Sequence, residues 1–552
     1  MTLKRIINSL LLPLAAIASF TATAGNITPV EARATANSFF KSHAGVNPGS
    51  LKAPAMADIQ LAHAEPSGLV PNANVYYVFN VKGGGFIIVA GDDRAYPVLG
   101  YSDMGQIDVN NLSEPLQFML DGYKAQIDYL LTHDIHVTET FNQSFRQPVN
   151  IVEPMTKSVW GPEEPYNSQC PLLGKTHSKI GCQGVCMSQM LYFWKFPFSC
   201  DSLPAYWAQR LNDYVPALPA TTFDYDKMLL SYSHWDFDKG AVVLDTYTDE
   251  QLYEVAKLAR YCGQAVNMNY SPVLSTPKTN VLAAMKRFGF NSRANRVYRN
   301  DYEEDAWEEM VQQELNAGRP IMYIGYGAQA ASVGHGFIID GYNDEHYYHM
   351  NMGWYGVNNG WYMLSAISFV NRYNQDIFYQ KNISMVLGLE PPLFCKLNAT
   401  VTAASGLLVL GGELNPQALD INLNMSYRTL PFMFSLTDEQ GTEVALSESI
   451  TLNRLTFENG SDISLALTLP ENLPEGAYNL QFNYRADAGE PLTPVVTAVG
   501  QLSVVGRMVK YGAPFSIADV VEAVDHILNR DSDSLEVSVA DVTYLIDYLL
   551  ED

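Results

Sequence analysis

At Glu390-Pro391-Pro392 the patterning of this chain changes kind. Upstream, apolar residues follow helical spacing in some stretches and strand spacing in others. Downstream they fall into short alternating runs such as Leu407-Leu408-Val409-Leu410 and Tyr478–Tyr484, parted by turn residues such as Pro474-Glu475-Gly476. One core cannot serve both patterns, and 552 residues at roughly 150 per domain suggest three or four domains. The downstream part is expected to be a small β-sandwich over 391–506. Upstream, a helix at Val30–Phe40, a hairpin of Tyr76–Val81 with Gly85–Ala90, and a helix over Leu112–Leu131 make an α+β segment spanning 25–154. In the second helix Leu116, Met119, Leu120, Tyr123 and Ile127 form one stripe. The segment 155–390 is the largest, and the overall class is α+β.

The first 24 residues read as a signal peptide: Lys4 and Arg5, an apolar stretch Ile6–Phe20, and small residues Ala22-Thr23-Ala24. That stretch is shorter than the roughly 20 residues that span a bilayer, and no later segment reaches that length without a charge. A secreted or cell-envelope protein without a membrane span is expected. The formal net charge of -25 would repel phosphate backbones, which argues against nucleic acid as a partner. The six cysteines (Cys170, Cys182, Cys186, Cys200, Cys262 and Cys395) are too sparse for a disulfide framework, although one or two bonds are compatible with export. The Cys-x3-Cys spacing at 182 and 186 lacks the paired cysteines and histidines of a structural zinc site. No metal and no cofactor is expected.

The C-terminal 507–552 carries a repeat at an offset of 22 residues: Ser516-Ile517-Ala518-Asp519-Val520 returns as Ser538-Val539-Ala540-Asp541-Val542. Each copy opens on a serine suited to cap a helix, so two short amphipathic helices follow. Paired loop-helix repeats resemble a dockerin, but Asp531-Ser532-Asp533 leads to Leu535 and Glu536 with no glycine, and the first copy has no acidic loop. The tail is therefore a degenerate dockerin-like one without calcium.

Chemistry concentrates at two places. Gly181-Cys182-Gln183-Gly184 leads into a helical run whose stripe is Cys186, Met187, Met190, Leu191 and Trp194. Cys182 sits where unpaired N–H groups and the helix dipole stabilise a thiolate; Cys186, one turn on, reads as packing. The proton partner is expected in the strand His335–Asp340, followed by a loop at Tyr342–Glu345 and a returning strand Tyr347–Met350. A hairpin centred near Asn343 would set His335 across from Asn351, whose amide could hold the ring for the thiolate. His177, His346 and His349 have no comparable context.

The stretch from Gly181-Cys182 through Gln189 to Phe196-Pro197 resembles the nucleophile helix of the streptopain family of papain-like cysteine peptidases. Gly334-His335 through Ile339-Asp340-Gly341-Tyr342, then Tyr348-His349-x-Asn351, Gly353-Trp354 and Asn359-Gly360, resembles its histidine hairpin. Trp160-Gly-x-x-x-Pro165-Tyr166-Asn167-x-x-Cys170-Pro171 resembles the start of its mature domain. Tyr76–Phe79, Gly85–Asp93 and Tyr96–Ser102 resemble its inhibitory propeptide (Spi-type). The resemblance covers about the first 390 residues in order. It implies a papain-like domain at 155–390, an inhibitory propeptide at 25–154 removed by a cut near 150–158, and protein or peptide substrates with an apolar residue second on the N-terminal side of the scissile bond. It further implies an acyl-thioester on Cys182, His335 as base and Asn351 as the residue that orients it.

Two positions depart from the family. Pro162 stands where its oxyanion glutamine would be and offers neither a side-chain donor nor an N–H; Gln169 or Gln183 are candidate substitutes. Met352 replaces the tryptophan that shields the histidine–asparagine pair. A secreted endopeptidase made as a zymogen is the primary reading. The competing readings are a catalytically impaired homologue that binds peptides or inhibits a protease, and an envelope adhesin or scaffold built on the sandwich and tail.

Overall fold

The computed structural model describes residues 25–43, 54–133, 145, 148–236, 239, 241–290, 293–326, 334–367, 381–392, 394–404, 406–425, 429–452, 457, 460–486, 489–495, 500–512, 514–529 and 537–551. The expected signal peptide and the Asp531–Glu536 stretch lie outside these. Two compact units form: one holds 1–193, 199–284 and 295–387, the other 194–198, 285–294 and 388–552.

In the first unit, α1 (Pro29–His43) opens on a reciprocal cap, Thr28 N donating to Glu31 Oε2 at 2.8 Å and Glu31 N to Thr28 Oγ1 at 3.3 Å. Strands β1 (Ile59–Pro66), β2 (Asn74–Val81), β3 (Phe86–Ala90) and β4 (Val98–Ser102) form a meander, and α2 (Glu114–Thr132) starts at a Ser113 cap with Pro115 in its first turn. All five residues of the predicted stripe on α2 are buried. Next come β5 (Asn150–Val152), α3 (Cys182–Trp194), α4 (Asp249–Ala265), β6 (Asn295–Tyr298) and α5 (Glu304–Asn316). The unit ends with β7 (Ile321–Tyr326), β8 (Gly334–Asn343), β9 (Tyr348–Asn351), β10 (Gly360–Tyr362) and β11 (Lys381–Leu387).

These strands join one sheet in the order β1-β2-β3-β4-β10-β9-β8-β7-β11-β6, with β5 pairing β8. The N-terminal meander and the strands after 320 are thus continuous through the antiparallel pair β4·β10, Trp361 opposite Tyr101 and Tyr362 opposite Gly100. One apolar core runs across that seam. It includes Val75, Phe86 and Leu116 on one side and Phe337, Tyr348 and Met350 on the other. Buried Tyr123 of α2 donates to the carbonyls of Leu99 and Met363, one on each side.

In the second unit, strands β12 (Phe394–Thr402), β14 (Gln417–Met425) and β16 (Ser461–Ser464) form one sheet. The other contains β13 (Leu407–Val409), β15 (Leu430–Thr437), β17 (Gly476–Tyr484), β18 (Gly500–Val505) and β19 (Met508–Tyr511). Both contribute to a single core, Ala418, Ile421 and Leu423 from the first and Phe432, Leu480 and Leu502 from the second, which is the expected sandwich. The repeat folds into α6 (Ile517–Leu528) and α7 (Val539–Glu551). Their caps match: Asp519 Oδ2 accepts from Ser516 N and Oγ at 2.6 and 2.8 Å, and Asp541 Oδ2 from Ser538 N and Oγ at 2.8 and 2.7 Å.

Candidate active site

Cys182 is the first residue of α3. Gly181 ahead of it has φ +81°, and a side chain there would meet the Ser275 carbonyl at 2.7 Å, so only glycine admits this approach. The helix is buried on every side rather than on one stripe. Among the described residues, Cys170, Cys182, Cys186, Cys200 and Cys262 are thiols outside any disulfide. Burial pushes Cys170 and Cys262 up to about 12 and Cys186 well above its ordinary value, which keeps those three neutral. Cys395 has no described side chain.

His335 lies in β8, opposite Gly325 of β7. Cys182, His335 and Glu114 converge: a sulfur, a ring nitrogen and a carboxylate oxygen lie within 4.8 Å of one another. Glu114 belongs to the first turn of α2, so the N-terminal segment contributes directly to this site. Its Oε2 is 3.6 Å from His335 Nδ1, an ion pair too long for a hydrogen bond. Burial opposes the charge on the ring, but the Cys182 sulfur and the Glu114 carboxylate outweigh it and raise the His335 pKa to about 9. In this state the imidazole carries its proton at neutral pH. Phe118, one turn along α2, fills the space over Gly325, where a Cβ would come 2.1 Å from its ring.

The predicted register of the hairpin is wrong. Asn351 pairs with Ile338, three residues past His335. Asn343 reads as a turn residue but ends β8, and its side-chain oxygen accepts from Glu345 N and Tyr347 N at 3.0 Å each, which moves the turn about two residues later. That shift alone would set Asn351 opposite Ile339, and a bulge between Ile339 and Gly341 takes one residue back, to Ile338. By strand alternation Asn351 shares a face with Ile338 and Gly336, not with His335. Its buried amide donates to Ser158 O at 2.8 Å and to Thr156 Oγ1 at 3.3 Å, and its oxygen accepts from Gly353 N at 3.0 Å and Gln189 Nε2 at 3.3 Å.

Sequence reasoning passed over two further groups. Glu114 carries no local signal, because only the docking of α2 brings it to Cys182. Buried Asp340 accepts from His349 Nδ1 through one carboxylate oxygen at 2.6 Å, and its other oxygen accepts from Thr156 N at 2.7 Å. An acid and a histidine nine apart, flanking a predicted turn, were the available clue. Both networks anchor the chain at Met155–Ser158, beside β5. Of the candidate oxyanion donors, Gln169 Nε2 donates to Tyr253 O at 2.9 Å, whereas Gln183 is buried and packs on Gly336 next to His335. Pro162 is buried, its carbonyl accepting from Ile180 N at 2.9 Å, and Met352 is 1% exposed in the core.

Residues 160–362 match the Peptidase C10 family and residues 24–127 match the Spi protease inhibitor domain. Streptopain of Streptococcus pyogenes is 27% identical over 366 residues, 61% of this chain and 85% of that one. The thiol protease/hemagglutinin PrtT of Porphyromonas gingivalis is 23% identical over 488 residues, 84% of this chain and 54% of that one. A fragment of prointerpain A from Prevotella intermedia has 25% identity and a TM-score of 0.47, covering 60% of this chain and 99% of that structure. The chain is a cysteine peptidase in which residues 160–362 form a streptopain-like Peptidase C10 domain, preceded by a Spi-type inhibitor domain over 24–127.

Proposed function

We propose that Cys182 and His335 are the catalytic pair of this zymogen, with 25–154 as the propeptide and a maturation cut near 154. The observation that carries the reading is the meeting of a helix-capping thiol with an imidazole under an acidic residue of the inhibitor domain. In the mature enzyme the Cys182 thiolate would attack the scissile carbonyl carbon, forming a C–S bond. His335 would give its proton to the departing amine as the C–N bond breaks, and then take one from the water that hydrolyses the thioester.

Asn351 enters as the residue that orients His335 after Glu114 has left, which requires the ring to turn toward the face of Gly336 and Ile338. The Cys182 N–H would serve the oxyanion without the side-chain donor that Pro162 fails to supply. Substrates are proteins or peptides, taken with an apolar residue second before the scissile bond, and the basic-apolar-small pattern of the first 24 residues supports export to the cell envelope or beyond. Among the described residues no helix is long and apolar enough to cross a membrane.

A thiol-directed epoxide applied to the processed chain decides between this reading and an impaired homologue. Labelling at Cys182, lost in Cys182→Ala together with self-processing, is the expected result. Failure of Cys182 to label while the denatured thiols react normally overturns it.

A further inference from the structure

Glu114 does more at this site than steric blocking requires. A propeptide can close a cleft with apolar bulk, and Phe118 already supplies it over Gly325. Glu114 instead completes a set of three different metal-binding groups, a thiol, an imidazole and a carboxylate, whose ligand atoms converge within 4.8 Å. That donor mixture suits zinc, since soft sulfur and imidazole select it over calcium or magnesium. Three protein ligands and one open position is the usual arrangement of an exchangeable zinc.

Two independent features point to an ion at this place. His335 Nδ1 is buried and makes no hydrogen bond, although a carboxylate oxygen stands only 3.6 Å away. That separation is too long for a hydrogen bond but close to the spacing of two ligands on one tetrahedral zinc. Bonds of about 2.0–2.2 Å to nitrogen and oxygen place those atoms roughly 3.4 Å apart. The second feature is access. A cavity of about 360 Å³ reaches His335 past Glu114, and Asn110, Gln117 and Asp121 give it a polar wall. It provides an entry path and room for a water as fourth ligand.

We propose that the uncleaved chain binds Zn²⁺ between Cys182, His335 and Glu114, and that this ion locks the zymogen. This revises the expectation of no metal. Binding is a proton exchange without redox change: zinc displaces the one proton that the thiol–imidazole pair shares and takes up both lone pairs. The nucleophile and the base are thereby withdrawn together. Removal of the propeptide takes Glu114 away, leaves two protein ligands and loosens the ion. The binding site stands on the three side chains alone, whereas its effect on latency rests on the catalytic reading given above.

The test is Zn²⁺ competition against a chromogenic chelator, using full-length protein verified as uncleaved by mass. One tight equivalent is expected. Glu114→Ala should weaken it at least 10-fold, by comparison with the 10- to 100-fold loss seen when even an outer partner of a metal ligand is removed. Glu114 is partly exposed in the first turn of α2, so this variant keeps its core, and circular dichroism verifies that it is folded. Co²⁺ loaded in place of zinc should show a thiolate-to-metal charge-transfer band that Cys182→Ser abolishes. A site that survives Glu114→Ala unweakened, or a band that survives Cys182→Ser, places the ion elsewhere and overturns the proposal. So does an uncleaved chain that binds zinc no better than the processed one. An epoxide-reactive peptidase without the zinc site overturns both the site and the lock and leaves the catalytic reading standing. A zinc site in a chain that never labels upholds the site and overturns only the catalytic reading.

Discussion

Glu114→Gln keeps the shape of the side chain and removes its charge, which isolates how the propeptide holds His335. The ring's pKa is raised to about 9 from an ordinary 6.5. At 1.36 kcal/mol per unit that is about 3 kcal/mol of preference for the charged imidazole, net of the burial opposing it. The His335 side chain is 17% exposed, so solvent screening takes only part of this. Cys182 contributes more than Glu114, so the glutamine forfeits somewhat less than half, on the order of 1 kcal/mol, and the ring should titrate roughly one pH unit lower. A histidine whose pKa is raised on folding stabilises the folded chain fully below about pH 6.5, and that contribution drains away as pH rises through about 9. The variant should therefore be less stable than the parent near neutrality and equal to it above about pH 9. NMR titration of ring-labelled histidine in metal-free uncleaved protein reads the first quantity, and urea unfolding on both sides of pH 9 reads the second. An unmoved His335 titration, or a destabilisation that persists undiminished at high pH, refutes control by the Glu114 charge.

Phe118 is 2% exposed and packs over Gly325, so Phe118→Ala in a Cys182→Ala background should cost about 3–5 kcal/mol in urea unfolding; a cost under about 1 kcal/mol would show that α2 does not pack there in solution. Pro162→Gln restores a side-chain donor at the family's oxyanion position and should raise kcat roughly 100-fold with little change in KM. An unchanged kcat in the mature enzyme would mean that another group already completes the site. Ser516→Ala breaks the cap whose oxygen bonds Asp519 and should cost about 1 kcal/mol, seen as faster amide exchange in the first turn of α6.

The elements were legible in the sequence wherever a local pattern decides them. The α2 stripe from Leu116 to Ile127, the glycine-parted hairpin β2·β3 and the serine caps of the tail repeat all depend on residues a few positions apart. Cys182 at the start of α3 was legible for the same reason. The hairpin register was not, because Asn343 is equally suited to a turn and to the end of a strand that caps its own turn. A two-residue error in the turn centre displaces the cross-strand partner by four, and one bulge takes one back, which moved Asn351 from His335 to Ile338. Glu114 was invisible because nothing within α2 distinguishes it from an ordinary first-turn acid. Its role appears only when the chain, 68 positions on, returns Cys182 to its side.

That long-range docking also bears on how activation must proceed. The inhibitor segment adds its meander to the edge of the peptidase sheet at β4·β10 and shares one core with it, with Tyr123 bonded to carbonyls on both sides. Cutting the chain near 154 breaks covalent continuity but none of those pairs, and burial at roughly 25 cal/mol per Å² over a shared core outlasts a single hydrolysed bond. The β5 segment is itself paired to β8, and Met155 N donates to Asp340 O at 3.0 Å, so the new terminus would remain fastened too. Release of the cleft therefore requires α2 to be lifted or digested, not merely detached. Once Glu114 and Phe118 are gone, the face of β7 and β8 around Gly325 and His335 is open to a substrate. The same event removes one of the two groups that favour the imidazolium, so the ring titrates roughly one pH unit lower, with Cys182 still holding on it the proton that passes to the leaving amine. Exposure of the cleft and tuning of its base thus depend on one helix.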